Sequence, residues 1–558
     1  MTASPSGPTA AVPTAVPTAV PTAGTTAGTT GPVPGPEPGP MSVQVPVPGA
    51  ALATDVRLPA GAGPFPAVVL RTPYDRRGHR GEARSWAAHG FAAVVQDVRG
   101  RHASGGDWHP YRHEAGDGAD TLRWIRAQPW SDGRVIAVGA SYAAYCALVT
   151  AVPGAEPAPP AATGAPAPAA DALVPRPDGV IAAVPAVGPA AVAREPSGVE
   201  RLLGRAGWWA AHGDRAGSDP AALGKALTDD PRLLEHLPVS ALPERLGRPL
   251  PSWADVWTPA APARTSWADG RVPLLAVGGT RDPFAADTLA LWRNWGGPAR
   301  LVLGPWGHGL TAEPAPEARP GHRTGLGRLY VRWAGAALAR TGRPGAHGAV
   351  ALGGSEHWYP VTPQDTAPGT GTALPFGSGT GPRLLRGRYF TADPAHPMRS
   401  DRLDTDPRAH PDRALLLTPP LPRPLDLLGP ACARLRVAAD TPAADWFVRL
   451  VALDPRGRAE PLALGTARRT DPPGTPVVFT VPLGFLARRL GAGTRLRVEI
   501  GGHHFPAHAR NPHTGDDPTT ATRLRPSRRT LHTDGSALLL PVRTGRRPLT
   551  DPLQEIRT

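Results

Sequence analysis

Residues 134–145 read RVIAVGASYAAY, and they decide the fold. Arg134–Gly139 is a short apolar run rich in β-branched residues, which predicts a buried strand. Gly139-Ala140-Ser141-Tyr142-Ala143 follows at once, and an apolar helical stretch follows that. Small residues two before and two after a serine are what a sharp strand-to-helix turn requires, because the turn brings the two backbones close. On such a turn the hydroxyl is pushed out beyond the carboxyl edge of the sheet. The next backbone N–H, at the helix N-terminus, is free to hold a developing oxyanion. Ala143 stands where the most regular form of this turn has a second glycine. Taken alone, Ser141 is equally readable as an N-cap serine opening the helix.

The surrounding chain decides between these readings. Upstream, Pro66–Thr72 (PAVVLRT) and Phe91–Val98 (FAAVVQDV) predict strands, with a short helical pattern at Ala83–His89 between them. Asp117–Gln128 carries Leu122, Trp124 and Ile125 at near-helical spacing behind an acidic first turn, and it stops at Pro129. A Ser-Asp-Gly turn at Ser131–Gly133 then leads into the central strand. Alternating β and α of this kind predicts a mostly parallel sheet with helices on both faces. From about 190 to 265 the strands vanish and a Trp-, Leu- and Ala-rich helical stretch takes over, with Trp208, Trp209, Trp253 and Trp257. The α/β rhythm returns at Val272–Gly278, a helix near Ala285–Trp295, and the strand Arg300–Gly304.

That return places two further residues. Asp282 follows the strand VPLLAVGG, and His308 follows the strand RLVLG in Gly304-Pro305-Trp306-Gly307-His308. The order Ser141, Asp282, His308 is that of an α/β-hydrolase, and the acid and the histidine are one crossover helix apart. Both lie just past the C-terminal end of a strand, where α/β sheets place their ligands. The plainer readings are an Asx-turn before Pro283 and a loop histidine packed beside Trp306. Order and context together favour a triad: Ser141 as nucleophile, His308 as general base, Asp282 as the acid that orients it.

Beyond about residue 350 the periodicity shifts toward two, in segments separated by Pro and Gly: Arg434–Val437, Trp446–Leu453, Val477–Val481, Arg495–Ile500 and Ala537–Val542. That predicts an all-β sandwich of jelly-roll type. The expected layout is a Pro/Ala/Thr-rich tail over 1–40 and an α/β core over 41–190 with a Pro/Ala-rich insertion at about 153–177. A helical cap over 191–265, the rest of the core over 266–348 and a β-sandwich over 349–558 complete it. The tail contains AVPTAVPTAVPTAG and GPVPGPEPGP, and proline this dense excludes helix and sheet.

Composition excludes several function classes. The formal charge is +14, but Lys225 is the only lysine and the arginines are scattered among abundant Ala, Pro and Gly. With no cluster of basic and aromatic residues and no nucleic-acid motif, a nucleic-acid partner is not expected. No run approaches the ~20 apolar residues of a membrane span, and the N-terminus lacks a signal peptide's charged and apolar regions. Cys146 and Cys432 lie far apart and form no disulfide framework. A cytoplasmic enzyme without cofactor is the expectation. His503, His504, His508 and His513 with Asp516 and Asp517 suggest a metal site at first sight, but they fall in a Pro/Asn/Gly loop. Gly105-Gly106-Asp107 is not a phosphate cradle, since no Gly-Lys-Ser/Thr follows.

With these residues in place, the chain resembles the cocaine esterase and X-Pro dipeptidyl-peptidase (S15) hydrolases, the CocE/NonD family. The likeness runs from about Ser42 to Thr544. It is carried by Arg71-Thr72-Pro73-Tyr74-Asp75, Gln96-Asp97-Val98-Arg99-Gly100 with Ala103-Ser104-Gly105-Gly106, and the stretches around Ser141, Asp282 and His308. Asp445-Trp446-Phe447-Val448 and Asn511-Pro512-His513-Thr514-Gly515 add to it in the β region. The resemblance implies that the Tyr74 hydroxyl is one oxyanion donor and the Tyr142 backbone N–H the other. It implies no metal, and a small ester or short peptide as substrate. Phe284 and Trp306, with Gln96, are expected to wall the acyl pocket. The family has a glycine three residues after the serine, where this chain has Ala144. An ester hydrolase, an X-Pro dipeptidyl-peptidase or α-amino-acid ester hydrolase, and a weakly active relative serving as a binding protein all stay open. A peptidase of this kind needs cap carboxylates for a free ammonium, with Glu195, Glu200, Asp214 and Glu235 as candidates. Because the proline-rich tract has nothing to bury, a chain beginning at Met41 is expected to match the full chain in activity and melting temperature. A clear loss of stability on truncation would show that the tract docks.

Overall fold

The computed structural model describes residues 39–152, 174–257, 266–367, 371–403, 411–543, 545 and 547–551. Most of the expected tail and most of the Pro/Ala-rich insertion lie outside these. Strand β1 is Met41–Val47, β2 Ala50–Arg57, β3 Phe65–Thr72, β4 Ala92–Asp97, β5 Ser131–Ala140, β6 Gly179–Ala183, β7 Leu274–Gly279, β8 Ala299–Gly304, β9 Ala346–Ala351 and β10 Trp358–Val361. They form one sheet in the order β1-β2-β4-β3-β5-β6-β7-β8-β9-β10. From β4 to β9 every pairing is parallel, while β1, β2 and β10 run antiparallel to their neighbours.

The apolar runs build this sheet because both of its faces are covered. Along β5, Val135 and Ala137 join the core on one face, whereas Ile136 and Val138 join the core on the other. Helices α1 (Arg80–Ala88) and α8 (Leu326–Leu338) cover the second face with Trp86, Leu329, Tyr330 and Trp333. Helices α2 (Glu114–Arg126), α3 (Tyr142–Val149) and α7 (Ala285–Asn294) cover the first. Above that face lie the cap helices α4 (Leu203–His212), α5 (Ala222–Asp229) and α6 (Pro251–Trp257), packed through Trp209, Trp253 and Trp257.

Two expectations need correction. The core does not end at 348: Trp358–Val361 folds back as β10 beside β9, so the sheet runs past the boundary set at 349. The C-terminal strands are also longer than the short segments predicted, because Pro and Gly inside them are absorbed at bulges rather than ending them. Leu425–Ala439 has 15 residues, with a register shift at Ala431/Cys432 opposite Pro482 and Gly484. Two five-stranded antiparallel sheets face one another here, across a core containing Leu435, Val437, Trp446, Val448, Val498 and Leu538. Among the described residues no helix is long and apolar enough to cross a membrane.

The junction of β5 and α3 sets a steric limit made of backbone alone. A Cβ on Gly139 would stand 2.2 Å from the Ala143 carbonyl carbon and 2.6 Å from the Ala144 nitrogen. Backbone offers no cheap relief, so Gly139→Ala is expected to cost about 3 kcal/mol or more, or to abolish soluble folding. A Gly139→Ala protein melting within a degree or two of wild type would contradict this contact.

Candidate active site

Ser141 sits between β5 and α3 with φ 57 and ψ −122, a conformation few side chains adopt. Its own backbone holds it there. The Ser141 N–H donates to the Ala183 carbonyl at 2.9 Å, and its carbonyl accepts from Ala144 at 3.1 Å and Ala186 at 3.2 Å. The Tyr142 N–H is the first of α3 and so has no intrahelical acceptor. Ala144 is buried in the core between strand and helix, so the extra methyl is accommodated.

Tyr74 lies two residues beyond β3, its N–H bonded to the Thr72 hydroxyl at 3.1 Å. Its own hydroxyl accepts from the Trp208 indole N–H at 3.1 Å, and the Ser141 side chain lies near it. Burial pushes the Tyr74 phenol above its usual pKa, so at neutral pH it keeps the proton that an oxyanion donor needs. Arg101, fully buried, fixes this loop to the cap. Its Nε donates to the Pro73 carbonyl at 2.9 Å, and its other nitrogens donate to the Gly217 carbonyl at 2.7 Å, the Ser218 hydroxyl at 2.6 Å and the Arg215 carbonyl.

Asp282 and His308 meet as their order predicts. His308 Nδ1 is 2.8 Å from Asp282 Oδ1, and the Asp282 side chain is fully buried. The turn carrying Asp282 is set against the next loop at Gly279, where a Cβ would fall 2.1 Å from the Trp306 carbonyl oxygen. Phe284 places its ring edge-on to His308 at 5.5 Å. Trp306 and Gln96 do not join it. Trp306 is buried in the core on the opposite face beside Trp358. Gln96 accepts from Arg71 and Thr121 and donates to Thr54 inside the core. Their expected place in the pocket wall is therefore corrected: the pleat turns one away, and buried polar partners claim the other.

The Tyr142 side chain also turns inward. Its hydroxyl donates to Glu114 and accepts the Tyr111 N–H at 2.6 Å, while Trp208 stacks on its ring at 5.6 Å and 12°. The candidate ammonium carboxylates are taken by other partners. Glu195 binds Arg201 and His508 at 2.9 Å each; burial opposes its ionisation, but these bonds outweigh it and hold its pKa at about 2. Glu200 binds Arg468 at 2.7 Å, Asp214 binds the Ser252 hydroxyl at 2.6 Å, and Glu235 binds Arg232 at 2.9 Å. Among the described residues no group of three His, Cys, Asp or Glu side chains is arranged to hold a metal. His508 is engaged by Glu195, and His513 accepts from Arg529 at 2.9 Å.

Residues 48–310 match the X-Pro dipeptidyl-peptidase (S15 family) model, and 357–537 match the X-Pro dipeptidyl-peptidase C-terminal non-catalytic domain. The chain belongs to the CocE/NonD hydrolases of the S15 family. Cocaine esterase of Rhodococcus sp. (strain MB1 Bresler) is 28% identical to this CocE/NonD hydrolase, covering 85% of its chain and 92% of the relative. An α-amino acid ester hydrolase shares the fold at TM-score 0.69 and 20% identity, covering 90% of this chain and 96% of its own. A CocE/NonD family hydrolase of Staphylococcus aureus does so at TM-score 0.57 and 12% identity, covering 90% and 93%. The chain is thus a serine hydrolase of the CocE/S15 type, with an α/β-hydrolase core and a C-terminal β-domain.

Glu114 was not legible beforehand. Burial pushes its carboxyl from 4.5 up to about 7, so the fold favours the protonated form. That contribution to stability is complete below pH 4.5 and is lost as pH rises through about 7. The melting temperature of the wild type is therefore expected to fall relative to Glu114→Gln between pH 4.5 and about 7, and to level off above that. A difference independent of pH would contradict a buried, protonatable Glu114.

Proposed function

We propose that this hydrolase cleaves esters through an acyl-serine intermediate. His308 Nε2 takes the proton from the Ser141 hydroxyl as it attacks the carbonyl carbon, then gives it to the departing alkoxide. Water repeats the sequence on the acyl-serine, releasing the acid and restoring Ser141. Asp282 fixes the imidazole through Nδ1 and balances the charge it gains. The Tyr74 hydroxyl and the Tyr142 N–H face the oxygen on which negative charge develops. The reading rests above all on the 2.8 Å pairing of His308 with a fully buried Asp282, joined to the strained turn that carries Ser141 beside Tyr74.

An ester is favoured over an X-Pro peptide by the pairing of the cap carboxylates. A dipeptidyl-peptidase has to neutralise its substrate's ammonium, and Glu195 and Glu200 are already neutralised by arginines. The name of the Rhodococcus relative, an esterase, points the same way. Initial rates on a p-nitrophenyl acyl ester are expected to exceed those on an X-Pro p-nitroanilide by about 100-fold or more. Faster cleavage of the anilide would reverse the assignment.

Tyr74→Phe keeps the ring and deletes only the hydroxyl. It is expected to lower kcat on the order of 10²–10³-fold with KM nearly unchanged, because that bond is fully made only in the transition state. A kcat within about threefold of wild type would leave the oxyanion to backbone donors alone.

A further inference from the structure

Helix α4 carries Trp208, whose indole donates to Tyr74, and Arg205 three residues earlier on the same face. Arg205 is 3% exposed, and neither its Nε nor its Nη2 has a hydrogen-bond acceptor. It forms no ion pair with any described residue. Its guanidinium lies over the rings of Trp209 at 4.3 Å and Trp257 at 5.7 Å. Neighbouring arginines are treated differently: Arg194 pairs with Glu200 and the Trp257 carbonyl, and Arg201 forks onto Glu195.

A buried guanidinium left without an acceptor is costly, so its retention calls for a reason. Burial lowers the Arg205 pKa to about 9, which still leaves it charged at neutral pH. The Trp209 ring beneath it touches Trp208 at 4.6 Å, and Trp208 stands 6.4 Å from Tyr111, whose ring also packs against Tyr142 and Tyr145. Arg205 on Trp209 and Tyr111 on Trp208 are thus joined through the Trp208–Trp209 ring contact, and Trp208 in turn donates to the Tyr74 hydroxyl and stacks on Tyr142.

We propose that Arg205, with the Tyr111 hydroxyl, receives a carboxylate of the substrate, so that the preferred esters are anionic. The proposal rests on the assignment of Ser141 as nucleophile. A guanidinium binds a carboxylate through two parallel N–H···O bonds, and the unsatisfied Arg205 nitrogens supply donors for such a fork. The carboxylate can be carried by the acyl half or by the leaving alcohol.

Two matched ester pairs distinguish these sources. p-Nitrophenyl hydrogen adipate against p-nitrophenyl hexanoate tests the acyl half, and 4-carboxyphenyl hexanoate against 4-carbamoylphenyl hexanoate tests the leaving group. In wild type, one pair is expected to favour its charged member by about 30-fold or more in kcat/KM. Arg205→Met should reduce that ratio to about threefold or less, and Arg205→Lys should restore part of it. Adipate alone should raise the melting temperature of wild type and of Ser141→Ala but not that of Arg205→Met. Arg205→Met should itself melt no lower than wild type, since it removes an uncompensated buried charge. No charged preference in either wild-type pair would overturn the proposal, whether or not the variant folds. So would an unchanged ratio in Arg205→Met, or a lowered melting temperature without loss of the preference, which would mark Arg205 as a packing residue. If no ester were hydrolysed, the Ser141 assignment would fail, and the adipate shift would still judge Arg205.

Discussion

The close approach of Gly139 to the Ala143 carbonyl is the constraint on which the rest of the structure depends. Only a residue without a side chain lets β5 turn directly into α3, and that turn forces Ser141 into its strained φ. Strain of this kind costs about 1–3 kcal/mol and persists only where the surroundings over-determine it. Here the neighbouring strand does so, through the Ala183 carbonyl and the Ala186 N–H. One local compromise therefore fixes both the position of the Ser141 hydroxyl and the direction of the free Tyr142 N–H. Parallel pairing of β5 to β8 then brings the loops bearing Asp282 and His308 to the same sheet edge.

Around this edge the core, the cap and the β-domain are tied by buried charge as much as by apolar packing. Arg101 spans from the Tyr74 loop to carbonyls of the cap. The segment entering the cap is in turn held by the β-domain. Arg468 binds Glu200 and Asp445 together, the Leu202 N–H donates to the Ala507 carbonyl, and the Ala509 N–H donates to the Glu200 carbonyl. Within the β-domain itself, Arg413 and Arg449 converge on the buried Glu499. Part of the positive charge that a nucleic-acid reading would claim is thus spent on internal pairs, which cost several kcal/mol if broken one partner at a time.

What was legible in the sequence was local. The turn at Ser141, and Asp282 and His308 beyond their strands, depend on short patterns that cannot be read far out of register. The same holds for the β and α segments of the core, whose ends moved by only a few residues. The failures were matters of long range. Whether Trp306 faces the site or the opposite core is decided by which neighbours cover each face, and Gln96 was claimed by partners on three other elements. Strand lengths in the β-domain were underestimated because Gly and Pro mark bulges as well as ends. Arg101, Glu114 and Arg205 carried no signal, since each draws its meaning from residues distant in the chain or, for Arg205, from the lack of any acceptor.

The central claim is that Ser141 forms a covalent acyl intermediate with His308 as its base. Its most direct test is labelling of the intact protein with a fluorophosphonate, followed by mass mapping of the modified peptide. One equivalent of label on Ser141, lost in Ser141→Ala and slowed in His308→Ala, is the predicted result. A folded protein that remains unlabelled, or that carries the label on another residue, would contradict the account.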